Sequence, residues 1–394
     1  MKITLTCTLI LVSICVPTNS LLRKTLPEDA RLNFTGLGLK YGHAVEEHEV
    51  TTEDGYILTF FHIKGKRKPP VFIIHGIADT ADIFIIRGKT SLVIALADAG
   101  HDVWVANYRG NKYGRRHLKL NPDKDLKFWD FSLHEVGYYD LPAMIDYILQ
   151  HTGEKKIQTI GHSQGATTQF VLLSKRPEYN EKIEIMVGLA PVAFLTDVRF
   201  PVSLIANFGP LLGEVIKSIG VEETFPENSS MTALVRFICS QDVFSYEMCF
   251  LLFGFHFVGF DTKRFEPSFL KVFMGHYPGG TSRKNLMHVN QLVLSKRFCE
   301  FDYGPEGNLD HYGYVVPPDY NLHRVTTKVA LFVGENDVLC TVKDVDILRS
   351  TLSNVVYYHI MEDKVWNHID FTLGNDMNIT LFPHIFKLLD KYSK

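Results

Sequence analysis

The sequence predicts an α/β fold: a mostly parallel sheet with helices on both faces, interrupted by one inserted, mainly helical segment. Strand-like apolar runs alternate with helical runs along most of the chain, and this alternation is typical of parallel sheets. One long stretch, from about Phe194 to Leu322, departs from the alternation. The chain of 394 residues is 46% apolar, which is enough to bury a large core. Its net charge of −3 gives no reason to expect nucleic acid as a partner.

Residues 1–20 have the pattern of a secretion signal. Lys2 supplies a positive charge, and the apolar run Ile3–Val16 is too short to span a bilayer. The small and polar residues Pro17–Ser20 predict cleavage after Ser20. No later segment is both long and apolar enough to cross a membrane. We therefore expect a secreted mature chain without a transmembrane segment, and a lysosomal destination is left open.

Secretion changes the interpretation of the cysteines, because oxidising compartments permit disulfides. The cysteines that follow the signal are Cys239, Cys249, Cys299 and Cys340. Closeness in sequence favours a Cys239–Cys249 bridge, and free buried thiols are the alternative. Glycosylation sequons also agree with export, and their acceptor residues are Asn33, Asn228 and Asn378.

The N-terminal strands are predicted to form a hairpin followed by a buried strand. Val45–Thr52 and Tyr56–Ile63 flank a turn that contains glycine. Lys64–Lys68 is predicted to be a basic linker, and two prolines follow it. The apolar run Val71–Ile74 is typical of a buried strand in a parallel sheet. The remaining predicted elements are, in order, helix Ser91–Ala99, strand Val103–Ala106, helix Tyr139–Gln150, strands Ile157–Ile160, Ile185–Leu189, Val329–Val333 and Val355–Ile360, and helix Leu381–Tyr392.

Ser163 lies in a G-x-S-x-G pattern bounded by Gly161 and Gly165. A predicted strand precedes the pattern, and an apolar-periodic segment, Ala166–Leu173, follows it. Strand, sharp turn and helix is the context in which this pattern forms a nucleophile elbow. Small residues are needed on both sides because the strand and the helix nearly touch there. Ser163 is therefore the predicted nucleophile.

A serine nucleophile needs a base to take its proton and an acid to orient that base. In this architecture the chain order is serine, acid, histidine. Asp337 directly follows the predicted strand Val329–Val333, and His368 follows the last predicted strand. They are therefore the predicted acid and base.

Other aspartates compete with Asp337 for the role of the acid. Asp344 and Asp346 fall in the predicted helix that follows the loop, and Asp370 is too near His368 in sequence to reach its far nitrogen. Asp197 follows an earlier strand, where some hydrolases place the acid, and it remains the alternative.

An oxyanion hole needs two N–H donors. The N–H of Gln164 is predicted to be one of them, because helix N-termini favour negative charge. The second predicted donor is Ile77, in the loop that follows the strand Val71–Ile74. Gly76 in that loop lets the backbone approach closely.

Motifs for a metal or a cofactor are missing from the sequence. It contains no H-E-x-x-H, no G-x-G-x-x-G and no P-loop. His43 and His48 are near each other but match no ligand spacing, so solvated or packed side chains are the better interpretation. We therefore predict neither a metal nor a cofactor.

The inserted stretch is predicted to form a cap domain at residues 194–322, with the core at residues 21–193 and 323–394. It lies between two strands of the predicted sheet and is rich in aromatic residues, as in Phe250–Phe257. We expect most of these aromatic residues to form the core of the cap itself. Those around Phe250–Phe260 are predicted to line an apolar passage to the active site.

The chain resembles the acid lipase family, the gastric and lysosomal lipases of the α/β-hydrolase superfamily. The resemblance runs from about Tyr41 to the C-terminus. Besides the residues above, it is carried by Glu46–Tyr56, Asp102–Asn111, Phe128–Ser132, Tyr139–Ala143, His276–Ser282 and Asp302–Gly304. It implies the α/β-hydrolase fold and a catalytic triad of Ser163, Asp337 and His368. It also implies oxyanion donors at Ile77 and Gln164 and a cap disulfide at Cys239–Cys249.

We therefore expect a serine ester hydrolase, specifically a lipase that acts on triacylglycerols and other neutral lipids at an oil–water interface. A sterol-ester hydrolase and a short-chain carboxylesterase are the alternatives among hydrolases. A non-catalytic lipid-binding or storage protein on a lipase scaffold is the alternative from another class. The oligomeric state is left open.

Overall fold

The computed structural model describes residues 26–227, 229–240, 249, 259 and 263–393. The predicted secretion signal at residues 1–20, the sequon residue Asn228 and the aromatic run Phe250–Phe257 lie outside the described residues. Within the described ranges, no helix has the length and apolar character that crossing a bilayer requires.

One large sheet organises the molecule. The described strands are β1 Glu46–Thr51, β2 Ile57–Ile63, β3 Arg67–Ile74, β4 His101–Val105, β5 Ile157–His162, β6 Ile183–Leu189, β7 Glu223–Thr224, β8 Thr281–Ser282, β9 Lys328–Val333 and β10 Val355–Ile360. The large sheet has the order β1-β2-β4-β3-β5-β6-β9-β10, and β7 pairs with β8 separately. In the large sheet β1–β2 and β2–β4 are antiparallel, whereas the other pairs are parallel. The residues of β4 and β5 are all buried, as expected for central parallel strands.

The described chain contains helices before, between and after these strands. They are α1 Phe34–Lys40, α2 Leu92–Asp98, α3 Leu133–Glu135, α4 Leu141–Thr152, α5 Gln164–Lys175, α6 Val202–Ser218, α7 Ser230–Ser240, α8 Pro267–His276, α9 Arg283–Ser295, α10 Gly304–Tyr312, α11 Val342–Thr351, α12 Asp370–Leu373, α13 Met377–Thr380 and α14 Phe382–Lys391. Short 3-10 turns cover Glu28–Ala30, Ala81–Phe84, Gly88–Thr90, Leu126–Trp129, Pro177–Lys182 and Leu322–Arg324. Helix α2 contacts β4, α5 contacts β5, and α11 contacts β9.

The predicted α/β fold with a mostly parallel sheet is confirmed, and each predicted strand overlaps an observed one. The prediction of a basic linker at Lys64–Lys68 is wrong for its last two residues, because β3 already begins at Arg67. This strand also contains both prolines. The pairing of β3 with β4 shifts register between Arg67 and Val71, and such an irregularity tolerates proline, which has no N–H to donate.

The N-terminal end of helix α4 also differs from the prediction. A π-helical turn at Val136–Asp140 precedes the helix, which therefore begins at Leu141 rather than at Tyr139. Helix α1 was not predicted, although its sequence carries a start signal. The side chain of Asn33 caps α1 by accepting a hydrogen bond from the N–H of Gly36.

A long insertion separates two neighbouring strands of the sheet. The chain leaves the sheet after β6 and returns at β9, and these two strands pair with each other in parallel. The chain between them holds α6 to α10 and the β7–β8 pair. A disulfide in this segment joins Cys239 and Cys249, whose Cα atoms are 5.6 Å apart, whereas Cys299 and Cys340 are buried thiols. The exact cap boundaries at residues 194 and 322 stay a prediction.

A buried cation connects the antiparallel hairpin to the parallel part of the sheet. Arg109 follows β4, and its side chain is 1% exposed. Its guanidinium donates to Asp54, in the turn between β1 and β2, and to the buried Asp140 at 2.8 Å. It also lies 3.9 Å from the ring centroid of Tyr56. Removing the guanidinium would leave the Asp140 carboxylate buried without its cation.

We expect Arg109→Ala to lower the free energy of unfolding by about 3–5 kcal/mol, because it breaks a buried ion pair from one side. Arg116→Ala is the matched control, since Arg116 pairs with Glu49 and both side chains are about half exposed. That control should lose no more than about 1 kcal/mol. Urea unfolding followed by circular dichroism measures both values. Equal losses in the two variants would contradict the structural role assigned to Arg109.

Candidate active site

The turn at Ser163 joins β5 directly to α5. Ser163 has φ 54° and ψ −121°, a conformation that residues with a side chain rarely adopt. A Cβ atom on Gly165 would lie 2.2 Å from the carbonyl oxygen of Ile74, and one on Gly161 would lie 2.5 Å from the carbonyl oxygen of Gly165. Helix α5 therefore lies so close to β5 and to the end of β3 that only glycine fits at these two positions.

Ser163, His368 and Asp337 form a continuous chain of hydrogen bonds. His368 Nε2 lies 2.8 Å from Ser163 Oγ, and His368 Nδ1 lies 2.7 Å from Asp337 Oδ2. All three side chains are largely buried: Ser163 is 6% exposed, His368 4% and Asp337 0%. Each residue follows the carboxyl end of a strand, namely β5, β10 and β9, so the sheet brings distant parts of the sequence together.

Backbone groups hold the carboxylate of Asp337 in place. Its Oδ1 atom accepts hydrogen bonds of 2.8 Å from the N–H groups of Leu339 and Cys340, which leaves Oδ2 for His368. The loops after β9 and β10 are also tied together, because the N–H of Asn336 donates to the carbonyl oxygen of Trp366. The acid and the base are therefore fixed relative to each other.

The aspartates that competed with Asp337 in the sequence have other contacts. Asp344 is buried and accepts from the N–H and the hydroxyl of Thr196 and from the N–H of Asp197. Asp197, the open alternative, pairs with Lys343 at 3.2 Å. Asp370 accepts from the N–H of Asn367 at 2.8 Å. In contrast, Asp337 contacts the ring of His368 directly.

His162 is a site residue that the sequence analysis did not single out. Its Nε2 atom lies 2.9 Å from the carbonyl oxygen of His368 and donates to it, so it holds the backbone of that residue. Burial, and then the nearby charge of His368, lower the pKa of His162 to about 3. The ring is therefore neutral at physiological pH. His162 occupies a variable position of the G-x-S-x-G pattern, so the pattern does not indicate this contact.

Two backbone segments border Ser163 where the oxyanion donors were predicted. Gln164 is the first residue of α5, and the first N–H groups of a helix have no partner within it. The loop of Gly76 and Ile77 is also close, because a Cβ atom on Gly76 would lie 3.4 Å from Ser163 Cβ. The side chain of Gln164 accepts a hydrogen bond of 3.2 Å from Asn285 of α9, which belongs to the insertion.

Two groups of side chains in the described parts of the chain could hold a metal ion. One contains Glu46, His48, His62 and His151, and the other contains His359, Glu362 and His384. Neither group includes a member of the Ser163 hydrogen-bond chain. The sequon residues Asn33 and Asn378 are both exposed, and their glycosylation stays a prediction.

The comparisons with known proteins first define the class. Two family models match: "alpha/beta hydrolase fold" over residues 69–208 and "Partial alpha/beta-hydrolase lipase region" over residues 36–88. Among solved structures, a thermophilic esterase from Thermogutta terrifontis has a TM-score of 0.52 at 13% identity, covering 89% of this chain and 100% of that chain. A membrane phospholipase A has a TM-score of 0.51 at 14% identity, covering 100% and 99%. The protein is thus an α/β hydrolase by fold.

Relatives by sequence then define the family. Gastric triacylglycerol lipase of Bos taurus is 37% identical over 376 residues, which cover 93% of each chain. Human lysosomal acid lipase/cholesteryl ester hydrolase is 35% identical over 378 residues, covering 92% of each chain. Lipase 1 of Drosophila melanogaster is 37% identical over 380 residues, which cover 95% of this chain and 83% of that one. The chain belongs to the acid lipase family.

We expect Gly165→Ala to displace the turn at Ser163, because the added Cβ meets backbone oxygens of Ile74 and His75 at 2.2 and 2.6 Å. A displacement of about 1 Å should slow labelling of Ser163 by a fluorophosphonate about 100-fold. Gly188→Ala in β6 is the control, since its nearest contacts would be at 3.6 Å. Labelling rates followed by mass spectrometry test this, and similar rates in both variants would refute the packing argument.

Proposed function

We propose that this protein is a secreted lipase that hydrolyses the ester bonds of triacylglycerols, with Ser163, His368 and Asp337 as its catalytic triad. The observation that carries the proposal is the continuous hydrogen-bond chain from Ser163 Oγ through His368 to Asp337. The similarity to proteins named gastric triacylglycerol lipase supports the choice of substrate class. Because such a triad makes a serine hydroxyl nucleophilic, it suits acyl transfer.

In the first half of the reaction, Ser163 Oγ attacks the acyl carbon while His368 Nε2 takes the hydroxyl proton. Asp337 keeps the His368 ring in the required tautomer and stabilises its charged form. The tetrahedral intermediate collapses when the bond between the acyl carbon and the alcohol oxygen breaks. His368 gives its proton to that oxygen, and the alcohol leaves while the acyl group remains on Ser163.

In the second half, a water molecule attacks the acyl carbon and gives its proton to His368. The bond to Ser163 Oγ then breaks, His368 returns the proton to this oxygen, and the fatty acid is released. Both halves need the same two proton transfers at His368 Nε2. The hydrogen bonds that hold Asp337 and the His368 carbonyl therefore serve both halves.

The negative oxygen of each tetrahedral intermediate would bind the N–H groups of Gln164 and Ile77. The place of Gln164 at the start of α5 supports its role, because the helix dipole favours negative charge there. The closeness of the Gly76–Ile77 loop to Ser163 supports the second donor. Each donor is expected to contribute about 10²–10³ in rate, as in comparable hydrolases.

An exposed apolar surface on the insertion supports action at a lipid surface. Helix α6 and its ends present large apolar side chains to solvent, with Phe200 72% exposed and Leu211 69% exposed. The other members of this surface are Leu204, Ile205, Phe208, Leu212, Val215 and Ile219. A contiguous exposed apolar surface of this kind is typical of proteins that bind a membrane or lipid interface. Secretion is supported by the apolar run Ile3–Val16 and by the Cys239–Cys249 disulfide.

We expect Ser163→Ala to reduce hydrolysis of a triolein emulsion by more than about 10⁴-fold, because it removes the attacking atom. Ser174→Ala is the matched control: Ser174 is buried in α5, the helix that follows Ser163, and it donates to the carbonyl oxygen of Val171. Released fatty acid is titrated at constant pH. If Ser163→Ala keeps more than about a hundredth of the wild-type rate, Ser163 is not the nucleophile.

A sterol-ester hydrolase is the second candidate, because a relative carries the name lysosomal acid lipase/cholesteryl ester hydrolase. We expect triolein to be hydrolysed faster than cholesteryl oleate, and tributyrin to be hydrolysed faster above its solubility limit than below it. Rates on these substrates at two pH values measure the preference. Faster turnover of cholesteryl oleate would favour the second candidate, and activity confined to dissolved tributyrin would favour a carboxylesterase.

A non-catalytic lipid-binding protein is the candidate of another class. It requires an unreactive serine, whereas the geometry here gives Ser163 a hydrogen-bonded imidazole. Covalent labelling of Ser163 by a fluorophosphonate, absent from the Ser163→Ala variant, would exclude this candidate.

A further inference from the structure

Four potential metal ligands converge at the antiparallel end of the sheet. Glu46 and His48 are two residues apart on β1, so their side chains lie on the same face. His62 on β2 is the cross-strand partner of Glu46 and shares that face. His151, in the last turn of α4, brings a third imidazole from a helix that contacts β1.

The ligand atoms of these side chains are spaced for coordination of one ion. All of them lie within 4.8 Å of one another. Glu46 Oε2 lies 3.2 Å from His62 Nδ1 and 3.5 Å from His48 Nε2. Tetrahedral zinc with bonds of about 2.0–2.1 Å separates its ligand atoms by about 3.3 Å, so these two distances already match.

One of these atoms makes only an ion-pair contact. His48 Nε2 is buried, lies 3.5 Å from Glu46 Oε2 and makes no hydrogen bond in the described part of the chain. The other ring nitrogen, Nδ1, lies 2.9 Å from the hydroxyl of Tyr147, which fixes the orientation of the ring. The Nε2 atom is therefore aimed at Glu46.

The His62 ring is held as metal-binding histidines commonly are. Its Nε2 atom lies 2.8 Å from Oδ1 of Asp102, a buried carboxylate. Asp102 is itself fixed by the N–H of Gly65 and the indole of Trp104. A carboxylate behind a histidine keeps the opposite ring nitrogen available as a ligand and raises its basicity. That opposite atom, Nδ1, is the one that faces Glu46.

We propose that Glu46, His48, His62 and His151 bind a zinc ion. Three imidazole nitrogens and one carboxylate oxygen suit Zn²⁺, whereas Mg²⁺ and Ca²⁺ prefer oxygen ligands. Because the protein supplies all four ligands, the site is of the closed, structural kind. The Glu46 side chain is 55% exposed, which gives the ion a path from solvent. The ion would join the N-terminal hairpin to α4.

The second group, His359, Glu362 and His384, is the natural comparison. It offers three ligand atoms rather than four. We propose no site there and use His359 as the control position.

The test measures zinc binding by the full mature chain, produced without a polyhistidine tag and freed of metal with a chelator. We expect one zinc per chain with a dissociation constant tighter than about 1 μM at pH 7.5, measured by competition with a chromophoric chelator. His151→Ala and Glu46→Gln should each weaken binding at least about 10-fold, and His359→Ala should leave it unchanged. Cobalt as a substitute ion should give the intense visible absorption of tetrahedral coordination.

Thermal unfolding gives an independent readout. At one fixed zinc concentration, the midpoint temperature should rise less for His151→Ala than for the wild type and for His359→Ala, because an ion that binds only the folded chain stabilises it more when it binds more tightly. Without metal, the variants should have midpoint temperatures close to that of the metal-free wild type. This result would show that the variants fold. Binding weaker than about 1 μM, or equal binding by the wild type and His151→Ala, overturns the proposal.

Discussion

The backbone at Ser163 has φ 54° and ψ −121°, a conformation that persists only because the surrounding structure imposes it. The close approach of α5 to β5 requires Gly161, and its close approach to the end of β3 requires Gly165. This one turn sets the direction of the Ser163 hydroxyl and also places the first N–H groups of α5 beside it. The remaining site residues are then brought to the same edge, because parallel strands end there.

The polar groups around Ser163 are already hydrogen-bonded to one another before a substrate binds. Asp337 accepts two backbone N–H groups in addition to His368, and His162 holds the carbonyl of His368. Groups fixed in this way need little reorganisation when charge develops during a reaction, which is the main source of electrostatic stabilisation in such sites. The burial of the site strengthens these interactions, because little water competes for them.

Much of the fold could be predicted because buried parallel strands are short apolar runs with clear boundaries. The same runs located Asp337 and His368, since each follows a strand in the order that the mechanism requires. The start of β3 could not be predicted, because Pro69 normally argues against a strand and its register irregularity is a property of the pairing.

Contacts between distant segments were beyond the reach of the sequence. His162 donates a hydrogen bond to the backbone carbonyl of His368. Every residue has such a carbonyl, so the sequence does not indicate which one is bonded. The group around His48 was missed because its members come from two strands and a helix. Only the register that pairs Glu46 with His62, together with the packing of α4, brings them together.

The insertion begins and ends at two strands that lie side by side, β6 and β9. Its length and sequence can therefore change during evolution without altering the order of the sheet, because the two attachment points stay where they are. The proposed triad of Ser163, His368 and Asp337 comes from outside this segment, whereas α6 and its apolar surface come from within it. Selection can thus change the surface proposed to contact lipid while leaving the proposed triad unchanged.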